Sequence, residues 1–464
     1  MKWRNDAKHR LLLLPLFLVL VSVGAYAQQN SEISGTVTDN NGAVVPNAHM
    51  TLTATSTGVQ LSTDTNSNGV YIFPGLNVGT YDLSATASGF GTYVQKGLAV
   101  NVSQTLRADV SLTVGSVQQT VTVTANALQV QADSNVVSTL INSEQISEIA
   151  TENRNFAALA ALGLGVSSAL PANNTPTSVA SNFTISVNGL RQSHNIWLID
   201  GGEADDRGGA GGMSIMPSQD AIAQFETLAS NYPPDYGISS GATITLALKS
   251  GTRNFHGQLW EFNRNTAYDA NNYFNLQSNP VTPRTKLNYN IYGFNIGGPV
   301  FIPKVYNESR QKTFFFYNQE WRKLIQGSSP NSVQTLPAQD YPTAGQDLNY
   351  VAPAFASSTK LLVPTGVNDP VFNAKLTAAG LVPGQPFPNN TIPASLIDPN
   401  AVLFLNSGIV PKPNLANGEI ISSANQPIDV TDYILRVDHN INDKWHLLGH
   451  YMHDAVSQGY AQPM

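Results

Sequence analysis

The densest group of potential ligands in this sequence is His446, His450 and His453, spaced as His-x-x-x-His-x-x-His. On a helix the first two would share a face and could hold a metal, as in His-Glu-x-x-His enzymes. Leu447-Leu448-Gly449 stands between them, with no glutamate after His446, and the local alternation is that of a strand. On a strand the pair would be about 13 Å apart, too far to share one ion. A second group, Asp200-Gly201-Gly202-Glu203-Ala204-Asp205-Asp206-Arg207, lacks the alternate carboxylates and closing glutamate of a calcium loop. The glycine-rich residues 208–212 lead to no Lys-Ser/Thr pair, so they do not form a phosphate cradle. No Gly-x-Ser-x-Gly elbow and no acid/base pair at a recognisable spacing occurs. The expectation is a non-enzyme without metal or cofactor. Its charges Arg191, Asp200, Glu203, Asp205, Asp206 and Arg207 then either contact a ligand or pair with surrounding protein.

The bulk numbers agree with a β-rich chain of several domains. Only 12% of the 464 residues are charged, and glycine and asparagine are plentiful, which suits many turns. The net charge is −7. Lys2, Arg4, Lys8 and Arg10 against Asp6 make the first 27 residues +3, which leaves −10 for the rest. An acidic chain without a basic cluster is no nucleic-acid binder. The absence of cysteine excludes disulfides, thiolate metal sites and cysteine nucleophiles. Residues 1–10 are basic, residues 11–23 are apolar, and Ala25-Tyr26-Ala27 has the small-x-small pattern of a signal-peptidase site. Residues 1–27 therefore read as an export signal cleaved after Ala27. The apolar run is too short to span a bilayer, and no other run could form a membrane helix. Entry into a membrane would have to be as a barrel.

Residues 31–114 alternate in short strands separated by turns, such as Asp39-Asn40-Asn41-Gly42 and residues 63–69, and this predicts a small β-sandwich. Ile33-x-Gly35-x-Val37-x-Asp39, Pro46-x-Ala48, Gly69-x-Tyr71-x-Phe73, Gly75-Leu76-x-x-Gly79-x-Tyr81 and Gly89-Phe90 resemble the carboxypeptidase regulatory-like domain, a transthyretin-like sandwich of the carbohydrate-binding-like group. In that family the module is an accessory, so the name implies no peptidase chemistry, and a spacer or docking role is expected over ligand binding. Tyr71, Phe73, Tyr81 and Phe90 are read as core; exposed in a row, they would instead offer a platform for sugar.

Residues 115–135 form an extended linker that includes Thr120, Val121, Thr122 and Val123. Such a polar β-branched strand can be donated to a partner's sheet edge through backbone bonds alone; a plain linker fits the composition as well. From 141 to 162, Ile146, Ile149, Phe156, Leu159 and Leu162 recur at helical spacing, and a second helix is predicted over 218–225 with Ser218 as N-cap. Strands at 184–189, 195–201 and 241–251 complete an α+β unit over 136–254. Asn188-Gly189-Leu190-Arg191, Trp197-Leu198-Ile199-Asp200-Gly201, Pro217-Ser218-x-Asp220-Ala221-Ile222-x-x-Phe225-Glu226 and Lys249-Ser250-Gly251-Thr252-x-x-Phe255-His256-Gly257 resemble the plug domain of TonB-dependent receptors, in the Oar-like branch. The resemblance implies that Thr120, Val121, Thr122 and Val123, within the stretch 118–125, lie where such receptors pair with a TonB-type energy-transducing protein. It also implies that the charged group from Arg191 to Arg207 faces ligand or barrel wall.

Beyond 255, residues 258–263, 288–296, 313–322, 433–440 and 445–452 are candidate barrel strands, and from Leu435 onward 433–440 has the dyad pattern of a lipid-facing strand. Leu435 and Val437 alternate with Arg436 and Asp438. Residues 325–430, rich in Pro, Asn and Ser, suit a long extracellular loop better than a packed domain. A plugged barrel needs about 22 strands, so 255–464 is expected to be the first part of an incomplete antiparallel transmembrane β-barrel. The chain as a whole reads as mainly β. It is expected in the outer membrane, with its N-terminal domain in the periplasm and with TonB and outer-membrane lipid as partners. The receptor would take up an iron chelate, oligosaccharide or peptide. The alternatives are a carbohydrate-binding or adhesion protein and a receptor remnant.

Overall fold

A computed structural model describes residues 31–115, 120–124, 134–151, 153–169, 184–206, 212–236, 239–278, 281–327, 331–351, 360–414, 418–422, 425–443 and 445–459. The signal-segment residues Ala25 and Ala27, most of the 115–135 linker, and Arg207 lie outside these. The chain divides into two compact units. The first holds residues up to 262 together with 291–322 and 430–456; the second holds 263–290, 323–429 and the residues from 457 on.

The first unit begins with a sandwich of β1 (Glu32–Asp39), β2 (His49–Ala54), β3 (Gln60–Asp64), β4 (Val70–Phe73), β5 (Gly79–Thr86), β6 (Thr92–Val100), β7 (Thr105–Arg107) and β8 (Val110–Leu112). One sheet centres on β1, which pairs antiparallel with β4 and parallel with β7 and β8. The other runs β3-β2-β5-β6-β9, where β9 is Thr120–Thr124. Period-two alternation turns Ile33, Val37, Met50, Leu52, Leu83 and Ala85 inward to one core. Turn chemistry fixes the register. The Asp39 carboxylate accepts the N–H groups of Asn41 and Ala43, both at 2.8 Å, and the Asn66 side chain accepts those of Asn68 and Val70. Tyr71, Phe73 and Tyr81 are in the core and Phe90 packs partly against it, so these rings form no exposed platform. The Tyr71 hydroxyl donates to the Ala108 carbonyl, and burial pushes its pKa up.

Next comes a mixed sheet in the order β10-β15-β16-β13-β14. Its strands are β10 (Val137–Ile141), β13 (Ile196–Ile199), β14 (Gly202–Glu203), β15 (Ile222–Ser230) and β16 (Thr243–Leu248), beside a separate ribbon of β11 (Val166–Ala169) and β12 (Thr184–Val187). The helix expected over 141–162 is two short pieces. Ser143–Glu148 is α-helical and is capped by Asn142, whose side chain accepts the Gln145 N–H at 2.9 Å. Phe156–Leu162 is 3₁₀, capped by Asn155. The chain leaves the first helix at Ile149 in an extended conformation, and Arg154 is left-handed at φ 56°. Ile146, Phe156 and Leu159 are buried, but Ile149 and Leu162 face solvent. The helix expected over 218–225 is also corrected: only Gln219–Ala221 turns, and Ile222 onward is strand. Partners on both sides, β10 and β16, claim the backbone of β15 and override local helical spacing.

The strand wall follows, in the order β17-β18-β19-β24-β25. It is made of β17 (His256–Asn265), β18 (Leu287–Pro299), β19 (Thr313–Gly327), β24 (Asn425–Asn440) and β25 (His446–Gln458), and the sheet is open among the described residues. One face carries an aromatic group: Tyr292 stacks on Trp321 at 5.6 Å, Phe294 lies against Tyr317, and Phe255 against Phe315. The other carries buried Asn318, Glu320, Arg322, Asp432, Arg436 and Asp438.

The second unit corrects the expectation of a bare loop. β20 (Asn331–Gln334) pairs with β23 (Glu419–Ser422), and β21 (Leu348–Asn349) with β22 (Thr391–Ile392). Helices Pro370–Ala378 and Pro399–Asn406 each start at an Asp-Pro step, with Asp369 and Asp398 as N-caps. Val363, Leu376, Leu381 and Phe387 close a small core. The Pro and Asn that read as loop composition are largely cap and turn residues.

Candidate functional site: a buried guanidinium between sheet and wall

At the end of β13 the chain turns sharply: Asp200 has φ 47° and Gly201 φ 82°. The turn leaves the Asp200 carboxylate under β16, where Oδ1 accepts the Leu248 N–H at 3.1 Å. From the wall, Arg436 on β24 enters the same space, and both side chains are almost fully buried, at 2% and 0% exposure. The guanidinium has five N–H groups, and each has an acceptor. Nη1 donates to Asp200 Oδ1 and Oδ2 at 3.0 and 3.1 Å and to the Leu248 carbonyl at 2.9 Å. Nε and Nη2 form a fork on Asp438 at 3.0 and 2.9 Å, and Nη2 also reaches Asn77 Oδ1 at 3.4 Å. Asn77 belongs to the sandwich. His450 Nδ1 lies 3.3 Å from Asp200 Oδ2 but is not aligned as a hydrogen bond. An uncompensated charge at such a depth would cost several kcal/mol, and the pairing and hydrogen bonds offset that cost.

Two further polar contacts tie sheet to wall. Asn318 Nδ2 donates to Ser218 Oγ at 2.8 Å, which is what the Ser218 hydroxyl does instead of capping a helix. Arg154 pairs with Asp220 while its guanidinium lies 3.9 Å over the Phe262 ring. Burial lowers the Lys249 pKa beside this pair, with Asp220 opposing the shift. Within the wall, Glu320 accepts from Arg322 Nε at 2.6 Å and Trp260 Nε1 at 2.9 Å. Gly251 sits where the chain passes from sheet to wall. A Cβ there would lie 2.6 Å from the Gly298 carbonyl oxygen and collide with the Phe315 backbone, so only glycine permits the crossing.

Of the charges singled out in the sequence, Asp200 is the one placed in this cluster among the described residues, and Arg207 lies outside them. Asp205 accepts the Trp197 N–H at 3.0 Å, within its own sheet. Glu203 and Asp206 are exposed, and Arg191 is exposed at the start of the 3₁₀ turn Gln192–His194. Arg436, Asp438, Asn77, Ser218, Asn318 and Arg154 were not foreseen as site residues. The alternation of Asp432, Arg436 and Asp438 on one face of β24 was the available signal. His446 and His450 lie on strand β25, and no group of His, Asp or Glu fit to hold a metal occurs among the described residues. Thr120, Val121, Thr122 and Val123 form β9, parallel to β6, with Val121 opposite Tyr93 and Thr122 opposite Val94. Both valines remain exposed, so the strand is held by backbone rather than side chains.

A wall with an aromatic outer face and a charged inner face, packed on a mixed sheet, has the build of an outer-membrane β-barrel protein. Residues 247–464 match the outer membrane beta barrel domain and residues 32–113 the carboxypeptidase regulatory-like domain. The TonB-dependent transporter Oar of Myxococcus xanthus is 25% identical over 301 residues, which is 62% of this chain and 27% of that protein. Solved structures with similarity include the outer membrane transporter YddB of Escherichia coli, at 14% identity and TM-score 0.38 over 70% of this chain and 33% of that one. The siderophore receptor PirA of Acinetobacter baumannii matches at 13% identity and TM-score 0.29, over 69% and 43%. The chain therefore combines a match to the outer membrane beta barrel domain with one to the carboxypeptidase regulatory-like domain, and is similar in sequence to one curated TonB-dependent transporter. It spans about a quarter of the length of the curated relative.

Proposed function

We propose that this chain is the N-terminal part of a TonB-dependent uptake receptor of the outer membrane. In this reading residues 1–27 direct export, the sandwich lies in the periplasm, and the mixed sheet is a plug held by the strand wall. Asp200 is then a wall contact, whereas Glu203, Asp206 and Arg191 are exposed and stand within reach of solvent and of a ligand. The ligand class is a large or scarce solute such as an iron chelate, oligosaccharide or peptide. The observation that carries the reading is the Arg436–Asp200 pair, in which a wall charge and a plug charge satisfy each other out of water. Residues 120–124 are the proposed contact for the energy-transducing partner, because an exposed, backbone-held edge strand suits strand addition.

The test is a photo-cross-linker at Val121 in cells, combined with membrane fractionation. An outer-membrane protein yielding an adduct with a TonB-type protein is the expected result. A soluble protein without that adduct would sink the reading and leave the sandwich as a binding module in its own right.

A further inference from the structure

We propose that the sandwich is an interlock on the Asp200–Arg436 pair: Asn77 is the acceptor that completes the guanidinium, so the pair is fully satisfied only while the sandwich is docked. The docking contacts are specific. The Gly58 carbonyl accepts Gln311 Nε2 at 2.9 Å, the Ser56 carbonyl accepts the Arg253 N–H at 3.1 Å, and the Ser62 hydroxyl donates to Asp443 at 2.9 Å. Gly58 has φ +69°, which strains any other residue, and a Cβ there would sit 3.0 Å from both Arg253 Nη1 and Gln311 Nε2, so a side chain would press on these docking contacts. These contacts bring the loop between β4 and β5 to the cluster. Its Asn77 carbonyl is fixed by the Tyr81 hydroxyl at 2.7 Å, and its side chain reaches Arg436. Tyr81 is itself within range of the wall charge: its pKa is raised by burial first and by Asp438 second.

Undocking would remove one acceptor and admit water to a charge pair whose strength depends on its exclusion. The mixed-sheet side of the pair holds the Leu248 amide, so loosening should be visible there. For the proposed uptake role the consequence is an order of events. β9 is a strand of the sandwich, so a pull on 120–124 acts on the sandwich, and thus on Asn77, before it reaches the mixed sheet. That order rests on the uptake reading; the interlock does not.

Hydrogen exchange on the full chain in detergent micelles tests the interlock without any partner or ligand. In Asn77→Ala the Leu248 and Asp200 amides should exchange about tenfold faster, while core amides of β1 and β5 keep the parent rate. Asn77→Asp, which retains the acceptor oxygen, should restore slow exchange, and Ser62→Ala, which touches only the docking surface, should leave Leu248 near the parent rate. Unchanged Leu248 exchange in Asn77→Ala would overturn the proposal. So would fast Leu248 exchange in Asn77→Asp, which would show that the acceptor oxygen at position 77 does not hold the pair. Loss of the Val121 adduct described above would leave these rates untouched, so the two readings fail separately.

Discussion

The sandwich and the sheet–wall boundary are built on opposite principles. The sandwich closes on Ile33, Leu52, Leu83, Tyr71 and their neighbours, an apolar core whose polar turns face outward. The boundary includes apolar contacts, since Phe316 and Ile434 of the wall join the mixed-sheet core. Its fully buried centre is nevertheless Arg436 on Asp200 and Asp438, with Ser218 on Asn318 nearby. Apolar burial is non-directional and tolerates small shifts. A buried ion pair is costly to break one-sidedly and strictly oriented, so it specifies one seating of sheet in wall. The comparison teaches that the first region is made to stay folded, while the second is made to fit in one way.

The largest expected effect breaks the second region. Arg436→Met should destabilise the seating by about 3–5 kcal/mol, because Asp200 and Asp438 are left charged and buried. Denaturant titration followed by fluorescence of buried Trp197 measures this, and adding Asp200→Asn should recover part of the loss. A single variant as stable as the parent would remove the pair from the account. In the sandwich, Leu52→Ala should cost about 2–5 kcal/mol through the cavity it leaves. That loss should be confined to sandwich amides in hydrogen exchange, with Leu248 following only if the interlock operates.

pH sharpens the contrast, since the sandwich core is apolar and Glu226 lies buried in β15. Burial pushes its carboxyl up to about 7, with a hydrogen bond from Ser138 opposing. A raised carboxyl pKa means the fold favours the neutral acid. The contribution is complete below the ordinary value of 4.5 and is lost as pH rises through about 7. Mixed-sheet stability should therefore fall between those values by on the order of 3 kcal/mol, and Glu226→Gln should flatten that dependence in thermal melts taken across the window. The smallest effect is at β9. Val121→Thr should change stability by less than about 0.5 kcal/mol, because the side chain is exposed and the strand is held by its backbone.

Much of this architecture was legible because it rests on local rules. Alternation placed the sandwich strands and the β24 faces, and Asp39 and Asn66 marked the turns they close. Where local and tertiary signals competed, the local one misled. Residues 218–225 have a helical spacing but are claimed by two neighbouring strands. Residues 325–430 have loop composition, yet Asp369 and Asp398 cap helices that close a core.

The sequence by itself determined the order of the modules, the period of each strand and the identity of the charged residues. Those depend on neighbours in the chain. Only the tertiary structure decided which charges meet. Asp200 and Arg436 are 236 residues apart, and Asn77 lies 359 residues before the guanidinium it completes. No local period encodes such a meeting. It exists because the turn at Asp200, the inward face of β24 and the glycine at 58 bring three distant parts of the chain to one buried point.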